Sequence, residues 1–226
     1  MAKTKWATVT GHEDLGGGVH RIHCLADEPL HHVAGNYVIL RSTVPNPDKP
    51  GEVLKKAYSI SSAPDAESPQ RFHFTIVDVG AMSAWLASQR VDGRVEFSGP
   101  WGRRFRAQPD DPDGPVHLFA TGTGFSPVGA MAITRSRSGA TPVGVWWQTE
   151  HTYDDGVLAA LKQDPRFSVT VGAHVADAVP AEPEALYFLA GDGAVIIPLC
   201  ERLEQAGVPD AHIRTEFFFN KPAKPT

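Results

Sequence analysis

Val116-His-Leu-Phe-Ala-Thr-Gly-Thr-Gly-Phe-Ser-Pro127 joins a short apolar run, a glycine turn and a helix-like start in one segment. Glycine lets the backbone come close to a ligand, and the helix start that follows presents N–H groups suited to a pyrophosphate. The turn is not the full G-x-G-x-x-G fingerprint, and a lone turn of this kind serves structure as often as binding. Downstream the pattern repeats in outline. Val143–Trp147 reads as a strand, Asp154–Lys162 as a helix, Ser168–Val171 and Leu186–Ala190 as strands, and Ala194–Ala206 as a helix. Strands alternating with helices predict a parallel sheet covered on both faces. The second glycine turn, Gly191-Asp-Gly193, then falls on the same carboxyl edge as the first, the edge at which such sheets bind ligands.

Upstream the texture differs. His20–Leu25, Tyr37–Arg41, Phe72–Val77 and Val95–Phe97 are short β segments with prolines 45, 47, 50, 64 and 69 between some of them. This predicts a small antiparallel barrel. One helix interrupts it, from Ser83 as N-cap to about Gln89. The polar, proline-rich stretch Ala107–Pro115 reads as a linker, so the expected division is residues 1–108 and residues 116–226. After the aromatic cluster at Phe217 the tail turns disorder-prone.

Composition narrows the function. The 226 residues suit two domains of roughly 100 residues each. A net charge of -5 argues against non-specific nucleic-acid binding, which needs a clustered basic surface. No apolar run approaches the ~20 residues of a membrane span, and Met1–Thr10 lacks the core of a signal peptide, so a cytoplasmic location is the expectation. The two cysteines, Cys24 and Cys200, read as buried free thiols. They cannot ligate an iron–sulfur cluster, which wants about four close ligands, so any one-electron relay lies on another protein. His20 and His23 point to opposite faces of their strand and His31-His32 lie in a turn; no metal site is expected.

Taken in order, Gly35-Asn-Tyr-Val38, Lys56-Ala-Tyr-Ser59, Gly80-Ala-Met-Ser83, Gly99-Pro-Trp-Gly102, Thr121–Pro127 and Gly191–Gly193 resemble the ferredoxin–NADP reductase superfamily over about residues 5 to 220. The resemblance implies a six-stranded antiparallel flavin-binding barrel followed by a nucleotide-binding α/β domain with a parallel sheet. It places Tyr58 against the flavin ring and Ser59 near its N5. Lys56 stands where the family has arginine, a flexible point charge in place of a planar fork; Lys55 adjoins it and Ala57 lies within the motif. Gly80, Ala81, Met82 and Ser83 resemble the pyrophosphate turn, with Thr75, Ile76 and Val77 on the strand before it. The implied cofactor is FAD, with FMN as the lesser alternative. Thr121, Gly122, Thr123 and Gly124 resemble G-G-T-G with threonine for the first glycine, while Gly191, Asp192 and Gly193 replace the family's C-G-x-x-x-M segment. Glu216-Phe-Phe218 resembles the E-x-[YF] near the family's C-terminus, which gives Glu216 and Phe218 catalytic roles; a final hydrophobic strand explains the same residues.

The implied activity passes electrons from NADH or NADPH through flavin to a separate acceptor: a ferredoxin, a flavodoxin or an oxygenase component. A free-flavin or ferric reductase is one alternative, and a flavin-holding electron-transfer subunit without nucleotide turnover is another. Gln148-Thr-Glu-His151 beyond the strand Val143–Trp147 offers no cation for a 2′-phosphate, which favours NADH unless Arg135 and Arg137 fold into the site. Arg103, Arg104 and Arg106 form a basic stretch suited to an acidic ferredoxin or to solvent.

Overall fold

In a computed structural model, residues 3–139 and 141–220 are described. The chain divides into two compact units, Met1–Arg103 and Arg104–Thr226.

The first unit is a six-stranded antiparallel sheet of β1 (Lys5–Asp14), β2 (Val19–Ala26), β3 (Tyr37–Pro45), β4 (Val53–Ser59), β5 (Arg71–Val77) and β6 (Arg94–Trp101), in the order β4-β3-β6-β1-β2-β5. Its two end strands meet just past β4. Ser61 donates its N–H to the His73 carbonyl on β5 at 2.9 Å, and its hydroxyl lies 2.7 Å from His73 Nδ1. The sheet thereby curls on itself, as the barrel expectation required. Alternating residues face inward: Ile22 and Cys24 on β2, Val38 and Leu40 on β3, and Phe72, Phe74 and Ile76 on β5 form one buried cluster. Phe72 sits edge-on to Phe74 at 5.2 Å and tilted to Phe97 at 5.6 Å, arrangements that aromatic quadrupoles favour.

The helix inside this unit, α1 (Ala81–Ala87), starts earlier than expected. Gly80 is its N-cap, and Ser83 lies in the first turn with its hydroxyl folded back. Oγ accepts from the amides of Val79 at 3.1 Å and Gly80 at 3.0 Å and donates to the Gly80 carbonyl at 2.9 Å. The reason is local: a serine two residues inside a helix reaches the preceding amides more readily than a serine at its mouth.

The second unit is a five-stranded parallel sheet ordered β11-β10-β7-β8-β9, with β7 (Val116–Thr121), β8 (Val143–Gln148), β9 (Phe167–Gly172), β10 (Leu186–Asp192) and β11 (Ile213–Phe219). Helices α2 (Phe125–Ser138), α3 (Asp155–Gln163) and α4 (Gly193–Gln205) connect them. Val116–Ala120 is buried along its whole length, the signature of a strand covered on both faces. Successive strands run outward from β7 through β8 to β9, then the chain returns to lay β10 on the other side of β7. The carboxyl ends of β7 and β10 therefore flank the switch in strand order, where α/β sheets open a crevice.

The stretch expected to be a linker belongs to this second unit. Asp111 accepts both guanidinium nitrogens of Arg214 and the Gln108 amide, which fastens the segment to β11. Arg104 and Arg106 also fall in this unit, and the Arg106 carbonyl accepts from Arg214. Arg103, Arg104 and Arg106 are thus not one barrel surface. Residues of the tail beyond Asn220 lie outside the described residues.

Candidate functional site

In the first unit, three of the quoted motifs are gathered by Asn36. Its side chain accepts from the Val33 amide at 3.0 Å and donates to the Gly102 carbonyl at 2.9 Å, while its own carbonyl accepts from Ile60 at 2.9 Å. Strand register continues the grouping, with Tyr37 opposite Ser59 and also opposite Trp101. The sequence marked these segments only as a linear order; Asn36 is the residue that makes them one place.

Tyr58 and Ser59 are consecutive on β4 and project to opposite faces. Tyr58 pairs with Val38 and Lys56 with Leu40, so both side chains leave β4 on the face that Val38 and Leu40 use to enter the core. Lys56 reaches solvent, whereas the Tyr58 ring packs on the core cluster 6.3 Å from Phe74. Its hydroxyl is buried with no hydrogen-bond partner among the described residues. Burial raises the phenol pKa well above its ordinary value, and the Asp78 carboxylate adds to the rise. A protonated donor left dry costs about 1–3 kcal/mol, which an acceptor on a cofactor would offset. Ser59 is buried on the other face. Because β4 ends the strand order, a flat ring lying along its edge can meet both residues.

The remaining flavin candidates divide by orientation. Ile76 points into the core, so only its backbone is available. Thr75 is buried and donates to the Ser61 hydroxyl at 3.1 Å, and Val77 is half-buried. Gly80 is open, with no heavy atom within 4 Å of where a side chain would begin. Ser83 holds the turn that precedes α1, and the first-turn amides of any helix lack intrahelical partners. Ala81 is exposed and Met82 is buried. The orphaned tyrosine hydroxyl and the open glycine turn each fit part of a flavin with a phosphate-bearing tail.

In the second unit the two glycine turns are neighbours, because Ala120 on β7 pairs with Ala190 on β10. The first is clamped from behind: Trp147 Nε1 and the Tyr153 hydroxyl both donate to the Gly122 carbonyl, at 2.9 and 3.2 Å. Phe125 stacks on Trp147 with ring centroids 4.1 Å apart. In front the turn is open, since Gly122 has φ 47° and nothing within 4 Å of a notional Cβ. Thr123 is buried, and Gly124 sits so close to β10 that a Cβ would lie 2.1 Å from the Ala190 carbonyl oxygen. Neither the start of α2 nor the short turn before it carries a side-chain cap or an acidic residue. An uncapped, uncharged helix start over an open glycine turn is what an anion requires.

Beyond Gln148 on the same carboxyl edge lies a cavity of about 280 Å³ lined by Gln148, His174, Asp177, Val195, Pro198 and Arg202, among others. Gln148 Oε1 accepts from the amides of Val175 and Ala176, and Arg202 Nη2 donates to the carbonyls of Ala176 and Val179. The sequence pointed to Gln148 but not to Arg202, which comes from α4 more than fifty positions away and carries no motif. Arg135 and Arg137 lie in the last turn of α2, at the amino edge of the sheet, away from the glycine turns. Asp111 and Arg214 surround Arg135, and burial lowers its pKa.

The triple phenylalanine is resolved by the sheet. Phe217 packs on the core shared with Tyr187 and Leu189. Gly191 pairs with Phe217 and Asp192 with Phe219, so Phe218 is the extra residue of a bulge. Glu216 pairs with Ala190 at the carboxyl end of β10. Both cysteines are free, and burial pushes each thiol up to about 12.

Residues 11–105 match the oxidoreductase FAD-binding domain family. The ferredoxin–NADP reductase B of Sorangium cellulosum is 28% identical over 195 residues, covering 74% of this chain and 79% of that protein. The reductase subunit of an aromatic O-demethylase from an Amycolatopsis species is 33% identical over 131 residues, 57% of this chain. The chain spans only 37% of that subunit's length. An Amycolatopsis cytochrome P450 reductase has the same fold, with a TM-score of 0.82 at 23% identity over 96% of this chain and 70% of its own.

Over most of its length the chain is similar to a ferredoxin–NADP reductase, and residues 11–105 carry the match to the FAD-binding domain family. The family match falls on the first unit, and the second unit shares its parallel-sheet fold with the P450 reductase structure. Among the described residues no helix is long and apolar enough to cross a membrane.

Proposed function

We propose that this chain takes hydride from a reduced nicotinamide nucleotide onto its flavin and passes the electrons to a separate acceptor protein. The observation that carries the reading is the pair of glycine turns at the switch point of the second sheet, in a chain whose first domain binds FAD. FAD, when bound, supplies the conversion between a two-electron donor and one-electron acceptors. The protein supplies binding and geometry. Tyr58, kept protonated by burial, would donate its hydroxyl to the cofactor. Ser59, buried on the strand that ends the sheet order, would hydrogen-bond the flavin ring. The open turn at Gly122–Phe125 takes the nucleotide's pyrophosphate, and the cavity beside Gln148 takes its adenosine.

NADH is the donor in this reading. The Gln148 oxygen is spent on backbone amides, Asp177 adds a carboxylate to the cavity, and Arg135 and Arg137 stand at the far edge of the sheet. Arg202 is the guanidinium that lines the cavity, with one nitrogen already held by two carbonyls. The acceptor is a ferredoxin, a flavodoxin or an oxygenase component, in keeping with the aromatic O-demethylase and ferredoxin reductases that the chain resembles.

Purified protein should be yellow and should bleach anaerobically with NADH faster than with NADPH. Colourless protein that takes up no added flavin would end the proposal. Reoxidation by a ferredoxin that weakens with salt would support a charged protein acceptor; equal turnover with free flavin or ferric chelates, insensitive to salt, would replace it with the small-acceptor reading.

A further inference from the structure

Thr121 stands where the superfamily pattern has glycine, and its side chain does not enter the turn it precedes. Oγ1 instead accepts the Asp192 amide at 2.7 Å, from the neighbouring strand β10. The β7–β10 ladder ends at Ala120 and Ala190, so this hydroxyl takes over as acceptor where the backbone ladder stops. Once its main chain is held, Asp192 has a defined task. Oδ1 accepts from the Ala194 amide at 2.9 Å, capping α4, and from Asn220 Nδ2 at 2.7 Å, tying down the residue after β11. The ends of β7, β10 and β11 are thereby joined through Thr121, Asp192 and Asn220.

We infer that Thr121 is a positioning residue for the nucleotide site: its hydroxyl holds the second glycine turn, and the carboxylate it carries, in place against the first. This rests on the reading of the second domain as the nucleotide-binding one. The two helix starts at the switch point are made unlike. The start of α4 is neutralised by the Asp192 carboxylate, whereas the start of α2 has no side-chain cap and no acid in its first turn. A pyrophosphate is repelled from the second turn and admitted to the first. Gly191 completes the arrangement, because with φ 131° a Cβ there would lie 2.2 Å from Thr121 Oγ1. The hydroxyl occupies the room that any other residue at 191 would need. Loss of the hydroxyl leaves the Asp192 amide without its acceptor and lets the turn that carries the carboxylate shift against the first turn.

The test is anaerobic stopped-flow reduction of the flavin in the FAD-loaded full chain, across a range of NADH concentrations, for wild type, Thr121→Val, Thr121→Ala and Thr121→Ser. Valine keeps the shape and removes the acceptor; serine keeps the acceptor. In the valine and alanine variants the NADH concentration for half-maximal rate should rise about tenfold, the loss expected for one well-placed hydrogen bond. The limiting rate should stay within about twofold and flavin content should be unchanged, with serine restoring the wild-type concentration dependence. Wild-type dependence in both valine and alanine variants, or a serine variant that behaves like valine, overturns the inference while leaving the function standing. A wild-type protein reduced by neither NADH nor NADPH removes the nucleotide reading and the inference together. Variants with lowered melting temperature but unaltered half-maximal concentration assign Thr121 to stability alone and also overturn it.

Discussion

Asn36 donates its side-chain amide to the Gly102 carbonyl across 66 positions of sequence, at 2.9 Å, in a site where the asparagine is only 6% exposed. The same side chain accepts from Val33, so Asn36→Leu leaves a donor and an acceptor unpaired in the interior. Urea denaturation of the variant should show a loss of about 2–3 kcal/mol. A loss under about 0.5 kcal/mol would show that the three segments meet without it.

Tyr58→Phe should separate cofactor binding from folding. The hydroxyl has no hydrogen-bond partner among the described residues, so its removal leaves the melting temperature of flavin-free protein unchanged or raises it. Flavin affinity, measured by fluorescence titration, should fall about tenfold. Equal flavin affinity in the two proteins would mean that the hydroxyl does not face the cofactor.

Ser59→Ala should slow flavin reduction by about tenfold or more with little change in flavin content. The measurement is the limiting rate at saturating NADH. An unaltered rate takes Ser59 out of the chemistry.

Gly124→Ala tests the second domain. Its φ of -58° is ordinary, so the obstacle is steric: the new methyl would meet the Ala190 carbonyl oxygen at 2.1 Å, and backbone cannot swing aside. The variant should keep its flavin and lose most of its reduction by NADH. Retained kinetics at wild-type NADH concentrations would contradict the placement of the nucleotide there.

Acid should weaken the first domain through His73. Burial first, then the charges of Arg21, His23 and His32, hold its pKa down to about 3 from an ordinary 6.5. A depressed histidine stabilises the fold fully above about pH 6.5 and loses that contribution as pH falls towards 3, because only the unfolded chain takes up the proton. His32 is shifted the same way, by burial and against the pull of the Ser62 carbonyl. Between pH 7 and pH 5 the unfolding free energy should fall, with a slope approaching about 1.4 kcal/mol per pH unit for each such proton. His73→Phe should flatten that slope. An identical pH dependence in the variant would place the acid sensitivity elsewhere.

Much of this molecule was legible along the chain. Short strands with turn residues between them announced the antiparallel sheet, and apolar runs leading into helices announced the parallel one, because burial on one or two faces leaves different residue patterns. The helix near Ser83 was found but its start was misplaced. Serine is favoured both as a cap and as a residue that folds back inside the first turn, and composition does not distinguish the two. The stretch Ala107–Pro115 looked like a linker because nothing local shows that Asp111 will pair with an arginine 103 positions later.

The sequence by itself determined the two-domain class, the order of the motifs and the residue types that could meet a flavin and a nucleotide, since these depend on periodicity and local backbone chemistry. Only the tertiary structure decided which of those residues share a place. It packed Phe217 against the core and put Phe218 on a bulge, sent Arg135 to the edge opposite the glycine turns, brought Arg202 to Gln148, and gave Thr121 an amide to hold. The reason is that strand register and helix direction are set by the packing of whole elements against one another, and a one-residue change in register sends a side chain to the other face.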